Sequence, residues 1–320
     1  MQDAMSMRFL WLFFLALVGL VPLVGGGAAA LETIHVAILE GGMDQASLND
    51  AKAATKLWFE SIFAEEIGRA FHLDVQQYAG PAALRAALGK KAADIVVLGT
   101  DAFYALGGPA SFERVLLYLH DGDPTELYLL LTRGDTGITS LADLRGRKAI
   151  LLENIRTTLA ERWLNSLLRR DGLPAMRQFV GELVAERKPS RCIQRVFFRN
   201  ADVCLVTKKS YKTAVELNPQ LGKQLTVLAE SPAFVPALVA VSVHPASRIG
   251  PALERALLLA HTKRKLQQTL EIFRVNRFVL QAGDELASAK ALLAETGEAG
   301  ADDGDAKPAL VPLLKQEDAP

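Results

Sequence analysis

The chain has little cysteine, no excess of either charge and, past residue 30, no apolar run long enough to cross a bilayer. Each shortage removes a class of protein. Two cysteines in 320 residues, Cys192 and Cys204, are too few for a disulfide-built mini-domain, and neither belongs to a Cys-x-x-Cys pair. Lys and Arg number 36 and so do Asp and Glu, so no basic face for nucleic acid is expected. His35, His72, His120, His244 and His261 are scattered, with no two at metal-ligand spacing, so neither a metal nor another cofactor is expected. Gly-x-Ser-x-Gly, His-Glu-x-x-His and the phosphate-loop motif are all missing, and no Ser/His/Asp set stands out, so the chain does not read as an enzyme.

What is present starts at the N-terminus. Arg8, the apolar run FLWLFFLALVGLVPLV and Ala28-Ala29-Ala30 match a cleavable secretory signal over residues 1–30, with the mature chain starting near Leu31 in the periplasm. Export would place Cys192 and Cys204 in an oxidising compartment, where a disulfide between them and two buried thiols both stay open.

The mature chain alternates strand-like and helix-like segments. Thr33–Leu39, Leu73–Tyr78 and Asp94–Leu98 read as strands, with helices over Leu48–Phe71, from Pro81 and after Asp101. Val115–His120 and Leu127–Thr132 follow as strands, with Asp121-Gly122-Asp123-Pro124 as the turn between them. A second series then runs through strands Lys148–Glu153, Ala201–Thr207 and Leu225–Ala229, with helices Thr157–Arg170, Ser190–Phe198 and Tyr211–Leu217. Val235–Val243 is a long β-rich run, and Pro251 to about Ala294 is helical in pattern. Residues 299–320 hold five acids and two lysines and read as a disordered tail.

The fold class is therefore α/β in two lobes, each a mostly parallel sheet flanked by helices, with two extended hinge crossovers. The division expected is 31–133 for the first part of lobe 1, 134–232 for lobe 2, and 233–298 for the return to lobe 1 and the C-terminal helices. Leu131–Asp135 and Ser231–Pro236 are the hinge candidates. Ligands of open α/β sheets sit beyond the carboxyl ends of the strands, which gathers Glu40, Gly99–Asp101, Asn154–Thr158 and Thr207 around one cleft.

One stretch focuses that cleft. In ITSLADLRGRKAILLENIRTTLAERW, Ile138–Trp163, a short turn capped by Thr139 or Ser140 precedes Gly146, then a strand, a polar turn and a helix start. A helix start of this kind presents backbone N–H groups to an anion.

Four segments carry a family resemblance: DVQQYAGPAALRAALGKKAADIVVLGTDAFYAL (Asp74–Leu106), ITSLADLRGRKAILLE, FFRNADVCLVTKKSY (Phe197–Tyr211) and VLAESPAFVPALVAVSVH. In order and spacing they resemble the periplasmic phosphate/phosphite/phosphonate-type substrate-binding proteins of ABC transporters, within the type II periplasmic-binding-protein fold. The resemblance implies a small anionic or zwitterionic ligand, of the phosphonate-like oxyanion class, held between two lobes. Its ligand-facing positions are Thr100, Asp101, Tyr104, Asn154, Arg156, Thr157, Thr158 and Thr207. The partner implied is a membrane permease, or alternatively a sensor receptor, with the binding protein itself a monomer. The family's Ser-Thr-Ser cluster is absent here; Arg156-Thr157-Thr158 stands in that turn. Arg156 either clamps an anion or lies in solvent, and Asp101 either meets a positive group at the ligand's other end or caps the following helix.

Overall fold

The computed structural model describes residues 32–39, 71–243, 250–272 and 275–297, together with Ala53, Lys56 and Glu60. The expected signal segment, Glu40, the tail and most of the helix expected over Leu48–Phe71 lie outside the described residues.

Two sheets form the framework. The first contains β1 (Glu32–Leu39), β2 (Phe71–Tyr78), β3 (Ile95–Gly99), β4 (Phe112–Leu119), β10 (Ala237–Ser242) and β11 (Arg277–Leu280), in the order β11-β4-β10-β3-β1-β2. The second contains β5 (Tyr128–Arg133), β6 (Lys148–Leu152), β7 (Glu182–Glu186), β8 (Val203–Thr207) and β9 (Leu225–Glu230), in the order β7-β6-β8-β5-β9. The helices are α1 (Pro81–Gly89), α2 (Thr100–Ala105), α3 (Ala160–Arg170), α4 (Met176–Phe179), α5 (Pro189–Phe197), α6 (Lys208–Leu217), α7 (Pro219–Gln224), α8 (Gly250–Leu259), α9 (Arg264–Ile272) and α10 (Ala287–Thr296). The uninterrupted apolar runs of β8 and β10 are buried along their whole length, as strands covered on both faces must be.

Strand direction records how the chain crosses between lobes. β1 and β3 are parallel, as are β6, β7 and β8. β10 runs against β3 and β4, and β5 runs against β8 and β9. β5 arrives from β4 through residues 120–127, and β10 arrives from β9 through Ser231–Pro236. A chain that leaves one sheet at the carboxyl ends of its strands and crosses directly enters the other sheet at the same edge. It then has to run back against its new neighbours. The two crossovers are bonded to each other, since Glu126 N–H donates to Phe234 O at 2.8 Å and Phe234 N–H to Glu126 O at 2.9 Å.

This architecture departs from four sequence expectations. β5 belongs to the second sheet, although a boundary at 133 assigns it to the first lobe; Leu129, Leu130 and Leu131 are core residues there. The first crossover is therefore 120–127, and Leu131–Asp135 covers the end of a buried strand and the turn after it rather than a hinge. The segment expected to be helical from Pro251 contains β11, whose Arg277–Leu280 pairs antiparallel with β4. The C-terminal helix is not confined to the first lobe either. Leu286, just before α10, packs with Leu98 and Phe103 of the first lobe. Ala289, Leu292 and Leu293 of α10 pack with Trp163 and Leu164 of the second. Arg170 Nη2 meets Glu295 Oε2 at 2.7 Å at the far end of this strap.

Local signals near the site are realised closely. Ser140 and Asp143 form a capping box on the short 3-10 turn Leu141–Leu144. Asp143 accepts hydrogen bonds from the N–H and hydroxyl groups of Thr139 and Ser140, which holds its carboxyl below the usual range. Cys192 on α5 and Cys204 on β8 share one core and are both free thiols here.

Candidate functional site

The carboxyl ends of β3, β4, β6 and β8 and both crossovers converge on one level between the sheets. On the first-lobe side, Thr100 is fully buried. Its N–H donates to Pro236 O at 2.9 Å and its hydroxyl to Val235 O at 2.7 Å. From the second lobe, the Thr158 hydroxyl donates to the same Pro236 carbonyl at 2.5 Å. The lobes touch here, and Gly99 is what lets them. A Cβ on Gly99 would lie 3.1 Å from Thr158 Cγ2 and 2.4 Å from Asp101 Oδ1. The requirement is close approach, since Gly99 has an ordinary φ of −66°.

The turn between β6 and α3 is built from its own polar groups. Asn154 Oδ1 accepts the Arg156 N–H at 2.9 Å, an Asx turn. The Thr157 hydroxyl accepts the Asn154 N–H at 3.0 Å and donates to Leu152 O at 2.6 Å. The helix starts at Ala160 rather than at Thr157, because this turn uses the groups that would have formed its first coil. Thr157 is thus engaged inside the protein, as is Thr207, whose hydroxyl accepts the Ser210 N–H at 3.2 Å as the cap of α6. Asp101 lies 3.6 Å from Arg162 Nε of α3, so its charge is met by the opposite lobe. Tyr104 is half-buried, edge-on to Phe103 at 5.2 Å, and packs against the cores of both lobes. Loss of water around its hydroxyl raises its pKa.

Arg156 points inward, to a group that sequence reasoning missed. Its Nη1 donates to Glu126 Oε1 at 3.1 Å, and Glu126 is only 3% exposed. The same oxygen lies 3.7 Å from His120 Nδ1 and 3.9 Å from Lys209 Nζ. Lys209 reaches over from α6 and donates to the His120 and Thr125 carbonyls, at 3.1 Å each. Around this cluster, Glu126 Oε2 and Tyr118 Oη are buried without a hydrogen-bond partner, and Tyr128 Oη is buried beside the Leu159 backbone. Burial raises the Glu126 carboxyl pKa, even though Lys209 and Arg156 pull it down. Burial also raises both tyrosines, and the Glu126 charge adds to the shift in each. The one available signal was an acid set directly before the apolar run LYLLL; its partner, 30 residues away, is chosen by the crossover geometry. Among the described residues no group of acids, His and Cys could hold a metal ion.

Of the sequence-predicted residues, Thr100, Asp101, Tyr104 and Asn154–Thr158 lie near the crossovers, with several hydroxyls committed to backbone partners. Among the described residues, Arg156 and Lys209 both lie within 4 Å of Glu126 at that level.

Comparison with known proteins points the same way. A family model described as "ABC transporter, phosphonate, periplasmic substrate-binding protein" matches residues 50–286. No curated protein matches. Among solved structures, XAC2383 from Xanthomonas citri, bound to chloride ion, superposes with a TM-score of 0.64 at 17% identity, covering 83% of this chain and 98% of that one. The binding-protein component of an ABC phosphonate transporter from Pseudomonas aeruginosa gives 0.59 at 14% identity, covering 86% and 91%. PhnD1 from Prochlorococcus marinus, in complex with methylphosphonate, gives 0.59 at 14% identity, covering 83% and 99%.

Proposed function

Because this chain belongs to the periplasmic substrate-binding proteins of phosphonate ABC transporters, with their two-lobed type II fold, we propose that it captures a small anionic or zwitterionic ligand of the phosphonate class between its lobes. The observation that carries this reading is the pair of cations, Arg156 and Lys209, set around one buried carboxylate where the strand ends and both crossovers meet. An anion entering there meets a guanidinium suited to paired oxygens and the flexible ammonium of Lys209. Thr100, Asp101, Tyr104, Asn154, Thr157, Thr158 and Thr207 frame the space and hold its walls. Asp101 favours a ligand with a positive end.

Ligand bridging the lobes binds the closed form better and shifts the population toward it, which is the form a permease would read. The crossovers at 120–127 and Ser231–Pro236 are the segments that flex. The protein acts as a monomer and leaves its ligand chemically unchanged. Residues 1–30 act as the export signal, so protein recovered from the periplasm begins at or near Leu31, as N-terminal sequencing would read. The decisive test is calorimetry with methylphosphonate, the ligand of the Prochlorococcus neighbour. Replacing Arg156 by Met should weaken binding about 10- to 100-fold, matching a lost charged hydrogen bond of about 1.5–3 kcal/mol. Unchanged affinity would place the anion elsewhere.

A further inference from the structure

Glu126 is an acid inside the proposed anion site. Its Oε1 already occupies the Arg156 guanidinium at 3.1 Å, so the protein carries its own anion where the ligand's would go. Its backbone cannot withdraw, because the residue is bonded in both directions to Phe234 of the other crossover. Its second oxygen, Oε2, is buried and faces no donor. We propose that Glu126 couples ligand binding to protonation: an oxyanion binds at Arg156 and Lys209 together with one proton, which is taken from solvent onto Glu126 Oε2. This rests on the reading that the interlobe site takes an oxyanion.

With no ligand, the Glu126 carboxylate is bonded to Arg156 and lies 3.9 Å from Lys209. A dianion arriving beside it would add two negative charges next to a carboxylate that is only 3% exposed, where like charges repel strongly. A carboxylate that can neither leave nor stay charged takes a proton. The proton goes to Oε2 because Oε1 is turned to the guanidinium. The acid O–H is then a donor, and it replaces a repulsion with a hydrogen bond to the ligand or to the hydroxyl of Tyr118 or Tyr128. The other charged and titratable groups facing Glu126 come from each element around it. Tyr118 lies on β4, His120 and Asp123 on the crossover, Tyr128 on β5, Arg156 on the turn after β6 and Lys209 on α6. Asp121 Oδ2 lies 3.6 Å from His120 Nδ1 and faces solvent. The tyrosine values are raised, which keeps both neutral across the working range, so neither competes with Glu126 for the role. Burial has already lifted the Glu126 carboxyl part of the way.

The test is calorimetry with methylphosphonate and with sulfate, in buffers of differing ionisation enthalpy, between pH 5.5 and 8.5. The protonation of methylphosphonate itself is measured separately and subtracted; sulfate does not titrate in this range. Wild-type protein should take up close to one proton per ligand at the alkaline end, and affinity should fall by up to about tenfold per pH unit there. Glu126→Gln keeps the shape without the titration. It should take up no protein-borne proton, show a flat profile, and bind more tightly than wild type at pH 8.5. A wild-type count near zero for a ligand that does bind overturns the proposal and leaves the anion-site reading standing, and so does a count unchanged in the Gln variant. Failure of both probes to bind wild type overturns both. The wild-type count needs no variant, so a Gln variant that folds poorly does not protect the idea.

Discussion

Replacing Arg156 by Met should produce a stability loss that depends on pH, because the residue left behind is an acid. The substitution keeps the aliphatic stem and removes the guanidinium bonded to Glu126 at 3.1 Å. Breaking a buried pair by deleting one partner usually costs about 3–5 kcal/mol. Here there is a ceiling, since Glu126 can escape by binding a proton. Its ordinary value is 4.5, so carrying a proton at pH 7 costs at most 2.5 pH units at about 1.36 kcal/mol each, or roughly 3.4 kcal/mol. Wild-type burial has already raised the carboxyl, which lowers that ceiling, and Lys209 at 3.9 Å retains part of the compensation. About 2–3 kcal/mol is expected at pH 7. The sign is fixed by linkage. A carboxyl raised on folding adds stability below its unfolded value and loses it as pH rises through the folded one, and removing Arg156 lifts the folded value further. The loss should therefore shrink to below about 1 kcal/mol at pH 5. Urea unfolding of both proteins at pH 5 and pH 7 measures it directly. An equal loss at the two values would refute the reasoning, since it would mean that packing, not charge, sets the cost.

Other substitutions test the rest of the site and its supports. Thr157→Val should cost about 1–3 kcal/mol in urea unfolding, because it strands Leu152 O and the Asn154 N–H, while Thr157→Ser should stay near wild type. A Val variant as stable as wild type would show that the turn does not depend on this hydroxyl. Gly99→Ala puts a methyl 3.1 Å from Thr158 Cγ2 and should weaken methylphosphonate binding; Thr158→Ser, which removes that methyl, should restore part of it, with a coupling of about 0.5–1.5 kcal/mol. Additive effects would mean that the two residues do not meet in the bound form. Leu293→Ala, at a 2% exposed position where α10 joins the second lobe's core, should cost about 2–5 kcal/mol. A loss under about 1 kcal/mol would show that the strap is not stably docked. Cys192 and Cys204 are fully buried with raised pKa values, so the folded protein should resist a thiol reagent and the unfolded protein should react at both. No reaction on unfolding without reductant would mean that the two are paired.

The sequence by itself determined most of the elements and their order, though not β11, which lay in a stretch read as helical. Apolar runs such as VCLVT and ALVAVS specify buried strands, the Ser140–Asp143 spacing specifies a cap, and Asn154 specifies a turn, because each depends on neighbours a few residues away. It also placed Thr100, Asp101 and Asn154–Thr158 at strand ends, and hence on one side of the sheets. What it left open was partnership. Periodicity tells how deeply a residue is buried and nothing about what it is buried against. So β5 could be assigned to the wrong sheet, and the C-terminal helix to one lobe when it joins two. The hydroxyls of Thr100 and Thr157 looked available to a ligand, yet tertiary contacts bond one to Val235 and the local turn bonds the other to Leu152. Glu126 and Arg156 are 30 residues apart, one just before β5 and one just after β6, and only the assembly of β6, β8 and β5 into one sheet brings their charges together. Coulomb energy depends on distance in space, and the chain sets that distance only after that sheet is built.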